Sequence, residues 1–266
     1  MDYESLRDKY ESVYSGCGKR FPGDCKAIES ALAFSFALSS SMRQRKLDDK
    51  KGFLLAFFYR NSVYLSAAYH MARMGMLDPA GNNLRAVFET IIWQYAYLFE
   101  DGYFQAFMKI NAMERDKFAK IRQKAWSNTK ERALENLRRK YNFQKMMKKL
   151  YTKEYFESFF FNQYWVLSQK SHSGLFGVNN NTPSMEGQTT LEKSPGEMKD
   201  NLTAILYLSA ENLICFLNCF SDELSPGQVG DALKEANRIN AFIPPAQSLA
   251  PDTKKPEFSI RLRKSG

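Results

Sequence analysis

The side chains best placed for chemistry in this sequence are two polar pairs at helical spacing. Arg85 and Glu89 stand four apart in an apolar run, and Ser168 and His172 stand four apart further on, with Tyr164 one turn before Ser168. Residues four apart share one face of a helix, so each pair presents its groups together. If the two helices pack, Arg85 would hold an anion such as phosphate and His172 would act as general acid or base. Glu89 would then orient one of them, and Ser168 would serve as hydrogen-bond partner or nucleophile. The same four residues would equally make a hydrogen-bonded network that sets the register of two helices. Only His70 and His172 carry imidazole, so any chemistry through that group uses one of them. There is no glycine-rich phosphate loop, no H-E-x-x-H and no G-x-S-x-G, and no cofactor is expected.

Cations are the second resource. The chain has 38 Lys and Arg against 29 Asp and Glu, a net charge of +9, and the excess is regional. Between Lys109 and Lys153 there are 15 basic and 4 acidic residues, and over 253–266 there are 5 and 1; the remainder is mildly acidic. A regional positive field concentrates anionic partners. The candidate nucleic-acid-binding residues are Lys120, Arg122, Lys124, Lys130, Arg138, Arg139, Lys140, Lys145, Lys148 and Lys149. RNA or DNA fits this pattern, an acidic protein would also fit, and a membrane surface fits less well. A solvated helical face carries such charge runs too. Directly after the basic segment come Tyr151, Tyr155, Phe156, Phe159, Phe160, Phe161, Tyr164 and Trp165, aromatics that could stack bases or form a buried or dimer-forming face.

Four cysteines, Cys17, Cys25, Cys215 and Cys219, lack the C-x-x-C knuckle of structural zinc, so no metal site is expected and free buried thiols are. The acidic N-terminus has no secretory layout, and the apolar runs Ala31–Met42, Ile91–Phe99 and Ala204–Phe220 are short or interrupted by Glu211, Asn212 and Asn218. A cytoplasmic protein is expected.

Periodicity and cap chemistry point to an all-α bundle of roughly seven to nine helices. A first helix over 2–14 should end before Gly16-Cys17-Gly18. Asp24 should cap a second to Leu47, and Asp48 or Asp49 a third to Met74. Asp78 with Pro79 should open a fourth to Glu100, with Leu84, Val87, Phe88, Ile91, Ile92, Tyr95 and Leu98 inward. After Asp101-Gly102, a long basic stretch should break near Ser127-Asn128-Thr129. An aromatic helix from Thr152 toward His172 should lead into a long loop over 173–194. Ser194-Pro195-Gly196-Glu197 and Ser225-Pro226-Gly227-Gln228 are capping boxes for two more helices, to Phe220 and Asn240. The expected layout is one helical domain over 1–240 and a proline-rich basic tail over 241–266.

The R-x-x-x-E helix within Arg60–Glu100, followed by the Y-x-x-x-S-x-x-x-H run of Tyr164, Ser168 and His172, resembles a broad prokaryotic family of helical proteins of unknown function, HEPN-like in appearance, over 50–220. The resemblance implies a helical homodimer and either a toxin or defence ribonuclease or a non-catalytic member. The HEPN ribonuclease motif is R-x(4–6)-H. Trp165, Val166 and Leu167 occupy the arginine positions ahead of His172, and Val63, Tyr64 and Leu65 those ahead of His70, so that motif is absent. The expectation is therefore a non-catalytic or regulatory HEPN-like protein that binds nucleic acid or another anionic partner through 109–153. The alternative is an RNA-cleaving or other phosphate-processing enzyme using Arg85, Glu89, Ser168 and His172.

Overall fold

The structure is a computed structural model that describes residues 3–100, 102–121, 126–143, 145 and 195–242. These residues form eight α-helices and no strand: α1 (Tyr3–Arg20), α2 (Pro22–Met42), α3 (Asp49–Arg73), α4 (Leu77–Phe99), α5 (Tyr103–Ile121), α6 (Asn128–Lys140), α7 (Pro195–Phe220) and α8 (Pro226–Asn240), with a 3-10 turn at Ser221–Glu223. The aromatic helix expected from Thr152, the loop at 173–194 and nearly all of the tail lie outside the described residues. The helices fall into two compact units. One holds α1 to α3, α4 through Ile91, α7 and α8; the other holds the rest of α4 with α5 and α6.

Helix starts follow local chemistry. Asp48 caps α3 by accepting from the Lys51 amide at 2.7 Å, and Ser127 caps α6 by accepting from the Lys130 amide at 3.3 Å. Ser225 and Gln228 close a reciprocal capping box on α8, each side chain taking the other residue's amide hydrogen. Gly75 and Gly102 follow α3 and α4 with φ of +79° and +83°, a region that side chains with a Cβ rarely enter.

Three boundaries differ from expectation. First, α1 does not stop at Tyr14 but runs through Gly16 and Gly18 to Arg20. Val13 and Cys17 are buried at 5% and 0% exposure, so tertiary packing outweighs the roughly 1 kcal/mol that each glycine costs a helix. Second, α2 begins at Pro22 rather than after an Asp24 cap, and ends at Met42 instead of Leu47. Asp24 lies inside the first turn, where its carboxylate accepts from Lys199 Nζ of α7 at 2.5 Å. Third, α4 starts at Leu77, which puts Asp78 and Pro79 within its first turn. Toward the C-terminal end of that helix the buried residues are Gln94, Ala96 and Tyr97, while Tyr95 and Leu98 are half-buried.

In the first unit α7 is the central element, packed on α2, α3 and α8. By length and hydropathy it could cross a bilayer, yet 72% of its most apolar window is buried within the protein, the pattern of a core helix. Phe58, Phe216 and Phe220 stack along it with ring centroids 4.3 and 4.8 Å apart. Small residues on the facing helices, among them Ala31, Ser35, Ala68 and Ala72, are buried and allow close approach. Buried hydroxyls are satisfied one turn back: Ser39 donates to Ser35 O, Ser62 to Phe58 O and Ser209 to Ile205 O. Among the described residues a polar contact joins α3 and α7 inside this core. Asn61 Nδ2 of α3 donates to Asn212 Oδ1 of α7 at 3.0 Å, with both residues at 0% exposure. Asn212 Nδ2 also reaches Phe58 O at 3.5 Å.

Asn212→Ala is expected to destabilise the protein by about 2 kcal/mol, because Asn61 loses a buried acceptor. Phe216→Ala is expected to cost about 3–5 kcal/mol through cavity formation. Urea unfolding followed by circular dichroism measures both, and an Asn212→Ala loss below about 0.5 kcal/mol would contradict the weight given to this contact.

Candidate functional site

The four-residue spacing of Arg85 and Glu89 produces the expected pair. Arg85 Nε donates to Glu89 Oε1 at 2.9 Å on α4, and both side chains are partly exposed, at 21% and 35%. Ser168 and His172, the other half of the proposed constellation, lie outside the described residues, as do Arg122, Lys124, Lys148 and Lys149. Arg85 and Glu89 form this ion pair along one half-buried face of α4.

The basic region has a definite architecture. Helices α5 and α6 form an antiparallel hairpin, with Lys117 opposite Glu131 and Tyr103 packed edge-on to Tyr141 at 5.0 Å. Leu134 is the fully buried residue of α6. All four carboxylates of the hairpin engage cations. Glu114 holds Arg138 at 2.7 Å, Asp116 holds Lys120 at 2.7 Å and Lys130 at 3.0 Å, and Glu131 holds Lys117 at 2.7 Å. Glu135 meets Arg139 at 3.7 Å, and Glu131 also accepts from Trp126 Nε1 at 2.6 Å. Hydrogen bonds from Lys120 and Lys130 hold the Asp116 carboxyl below its usual range, and those from Lys117 and Trp126 do the same for Glu131.

Those pairs absorb Lys120, Lys130, Arg138 and Arg139 from the sequence-derived set. Lys109, Arg115 and Arg132, which that set lacks, are exposed and make no ion pair among the described residues. Lys140 packs over the Tyr141 ring at 5.2 Å, and Lys145 Nζ donates to the Arg139 carbonyl at 2.9 Å, so neither is bound to a carboxylate. One turn from Arg115, Phe118 is 75% exposed, far beyond Val63 at 40%, the next most exposed large apolar side chain among the described residues. The ring stands among the cations Arg115, Lys117 and Lys120 of the same helix. Counting charges along the sequence could not separate paired from unpaired cations, and the exposure of Phe118 cannot be read from its residue type.

A second polar cluster, in the other unit, was not legible as a site. Arg73 of α3 lies over the Tyr14 ring, with its guanidinium carbon 3.6 Å from the centroid, and donates to the Tyr14 carbonyl at 3.2 Å, to Glu29 at 3.3 Å and to Tyr69 Oη at 3.1 Å. Tyr69 Oη donates to Glu29 at 2.6 Å. Tyr14 Oη and His70 Nδ1 are 3.2 Å apart, which places the exposed His70 at the edge of the cluster. Space for Arg73 comes from Gly18: a Cβ there would lie 2.8 Å from Arg73 Nη2. Cys17 and Cys25 complete the group. Among the described residues no three His, Cys, Asp or Glu side chains converge as metal ligands. The chain matches no family model, no curated protein and no solved structure.

The carboxyl carbon of Asp116, followed by NMR, is expected to titrate below the ordinary aspartate range at low salt. The midpoint should move toward about 3.9 in about 1 M salt, as its exposed lysine partners are screened. A midpoint at the ordinary value in dilute buffer would mean that Lys120 and Lys130 do not hold it in solution.

Proposed function

We propose that the α5–α6 hairpin binds single-stranded nucleic acid and does not cleave it. The observation that carries this reading is Phe118, 75% exposed beside Arg115 on a hairpin whose carboxylates are already occupied by other cations. Single-strand binders combine cations that track phosphates with aromatic rings on which bases stack. Lys109, Arg115, Arg132, Lys140 and Lys145 supply positive charge that no carboxylate among the described residues neutralises, and Phe118 supplies the ring. The cations in ion pairs add to this reserve. Exposed pairs are worth little to stability, so a phosphate can replace a carboxylate at small cost. The HEPN-like resemblance, to a family with non-catalytic members, supports the same reading. So does the absence of R-x(4–6)-H from the sequence.

Fluorescence anisotropy with a labelled single-stranded RNA or DNA tests the proposal. Binding should weaken as salt rises, with a log–log slope of roughly −2 to −3.5 if three to five phosphates are neutralised. Phe118→Ala should weaken binding about tenfold with little change in that slope, since stacking is lost while charge is kept. A combined Arg115→Gln and Arg132→Gln variant should flatten the slope by about 1.4. Binding to polyglutamate or anionic vesicles as tight as to nucleic acid, or full affinity in Phe118→Ala, would overturn the assignment. Cleavage of the labelled RNA that is lost in His172→Ala would replace it with the ribonuclease reading.

A further inference from the structure

Asp116 is a carboxylate set in a line of cations on α5. Residues 109, 116 and 120 fall on one side of that helix, since seven and eleven residues are close to two and three turns. Lys109 is exposed at one end of the line and Lys120 stands at the other, so Asp116 interrupts what would be a continuous positive stripe. Its two oxygens are taken by different helices. Oδ1 accepts from Lys120 Nζ of α5 at 2.7 Å, and Oδ2 from Lys130 Nζ of α6 at 3.0 Å. Among the described residues each of the other hairpin carboxylates pairs with one cation.

The group is open to solvent. Asp116, Lys120 and Lys130 have side-chain exposures of 36%, 39% and 48%, so a ligand reaches all three without any movement of the helices. Exposed ion pairs contribute little to stability and are screened by salt, which makes this carboxylate exchangeable. A phosphodiester offers what the carboxylate offers: two oxygens on one atom that share a single negative charge. An aromatic ring stands at the same place. Lys130 Nζ lies 5.6 Å from the centroid of Trp126, whose indole N–H is anchored on Glu131 at 2.6 Å. Phe118 is a separate element, about 200° from Asp116 around α5.

We infer that Lys120 Nζ and Lys130 Nζ form a seat for one phosphodiester of a single-stranded nucleic acid, and that Asp116 fills this seat in the free protein as an internal competitor. The inference rests on the nucleic-acid binding proposed for the hairpin, and adds where one phosphate sits and what restrains it. When a strand arrives, its phosphate oxygens replace those of Asp116 on the two ammonium groups, and the displaced carboxylate turns to water. Lys109 continues the phosphate track along α5, and Trp126 offers a ring to the adjoining base. Affinity is held down by this exchange, because each strand that uses the seat expels a carboxylate from it.

The test is fluorescence anisotropy of the full chain with labelled oligo(dT). In about 0.1 M salt, where charges more than about 10 Å away are screened, Asp116→Asn should tighten binding about threefold to fivefold. Its log–log salt slope should steepen by about 0.7, the share of one phosphate on a single strand. In the Lys120→Gln/Lys130→Gln background the same substitution should change affinity by less than about 1.5-fold, since the seat is gone. The loss in Phe118→Ala belongs to the ring and leaves these differences as they are. A further readout needs only the wild type. With saturating oligo(dT), the NMR titration midpoint of the Asp116 carboxyl carbon should rise from its lowered position to about 3.9 or above, because its lysines have passed to phosphate. Where the wild type binds the strand, an absent gain in Asp116→Asn, an equal gain in both backgrounds or an unmoved midpoint would each overturn the seat and leave the binding reading standing. Failure of both the wild type and Asp116→Asn to bind oligo(dT) in dilute buffer would overturn that reading, and the seat with it.

Discussion

The hydrogen bond between Asn61 and Asn212 is the constraint on which the first unit depends. Both amides are sealed from water between α3 and α7, where a lost partner costs more than an ordinary contact contributes. The apolar stripe of α3, with Leu54, Phe58, Leu65 and Ala68, would tolerate sliding along α7 by a turn with modest loss. The amide pair would not, because a one-turn slip separates donor from acceptor by about 5 Å. Once α3 is fixed in this way, the position of its last turn is fixed as well. That turn carries Tyr69 and Arg73, and their bonds to Glu29 and to the Tyr14 carbonyl tie α1 and α2 to the same frame. The cluster around Arg73 thus inherits its geometry from an amide contact deep in the core.

The two units use charge in opposite ways. In the first, ionic groups join helices at the border of the core: Asp24 with Lys199, and Arg238, which holds Glu235 and donates to Ala27 O of α2. The carboxylates of these two pairs are well shielded, at 10% and 12% exposure. In the hairpin the carboxylates are more exposed, and cations exceed them. Such an arrangement adds little rigidity but leaves a strong net field. The first pattern joins helices, and the second is the basis of the nucleic-acid binding proposed for the hairpin.

Much of the fold was legible because its signals are local. Asp48, Ser127 and Ser225 cap helices where short polar side chains precede periodic apolar runs, and Arg85 meets Glu89 because four residues make about one turn. The glycines at 16 and 18 misled for a complementary reason. Glycine weakens a helix intrinsically, but burial of Val13 and Cys17 decides the outcome and is invisible in a local window. The cluster around Arg73 was hidden more deeply. Tyr14, Glu29, Tyr69 and Arg73 come from three helices, and nothing in the residue types announces that they meet. Likewise, the hairpin's pairing pattern arises from the antiparallel register of α5 and α6, which no count along the chain contains.

Gly18 of α1 and Arg73 of α3 share one volume. The guanidinium of Arg73 occupies the volume that a side chain at position 18 would need, so the identities of these two positions are coupled although they lie on different helices. A descendant or ancestor that replaced Gly18 would be under pressure to shorten residue 73, and one that lost Arg73 would be released to accept a larger residue at 18. Gly18 thus shapes the Arg73 cluster by the side chain it lacks: the guanidinium rests against the α1 backbone because nothing at position 18 stands in its way.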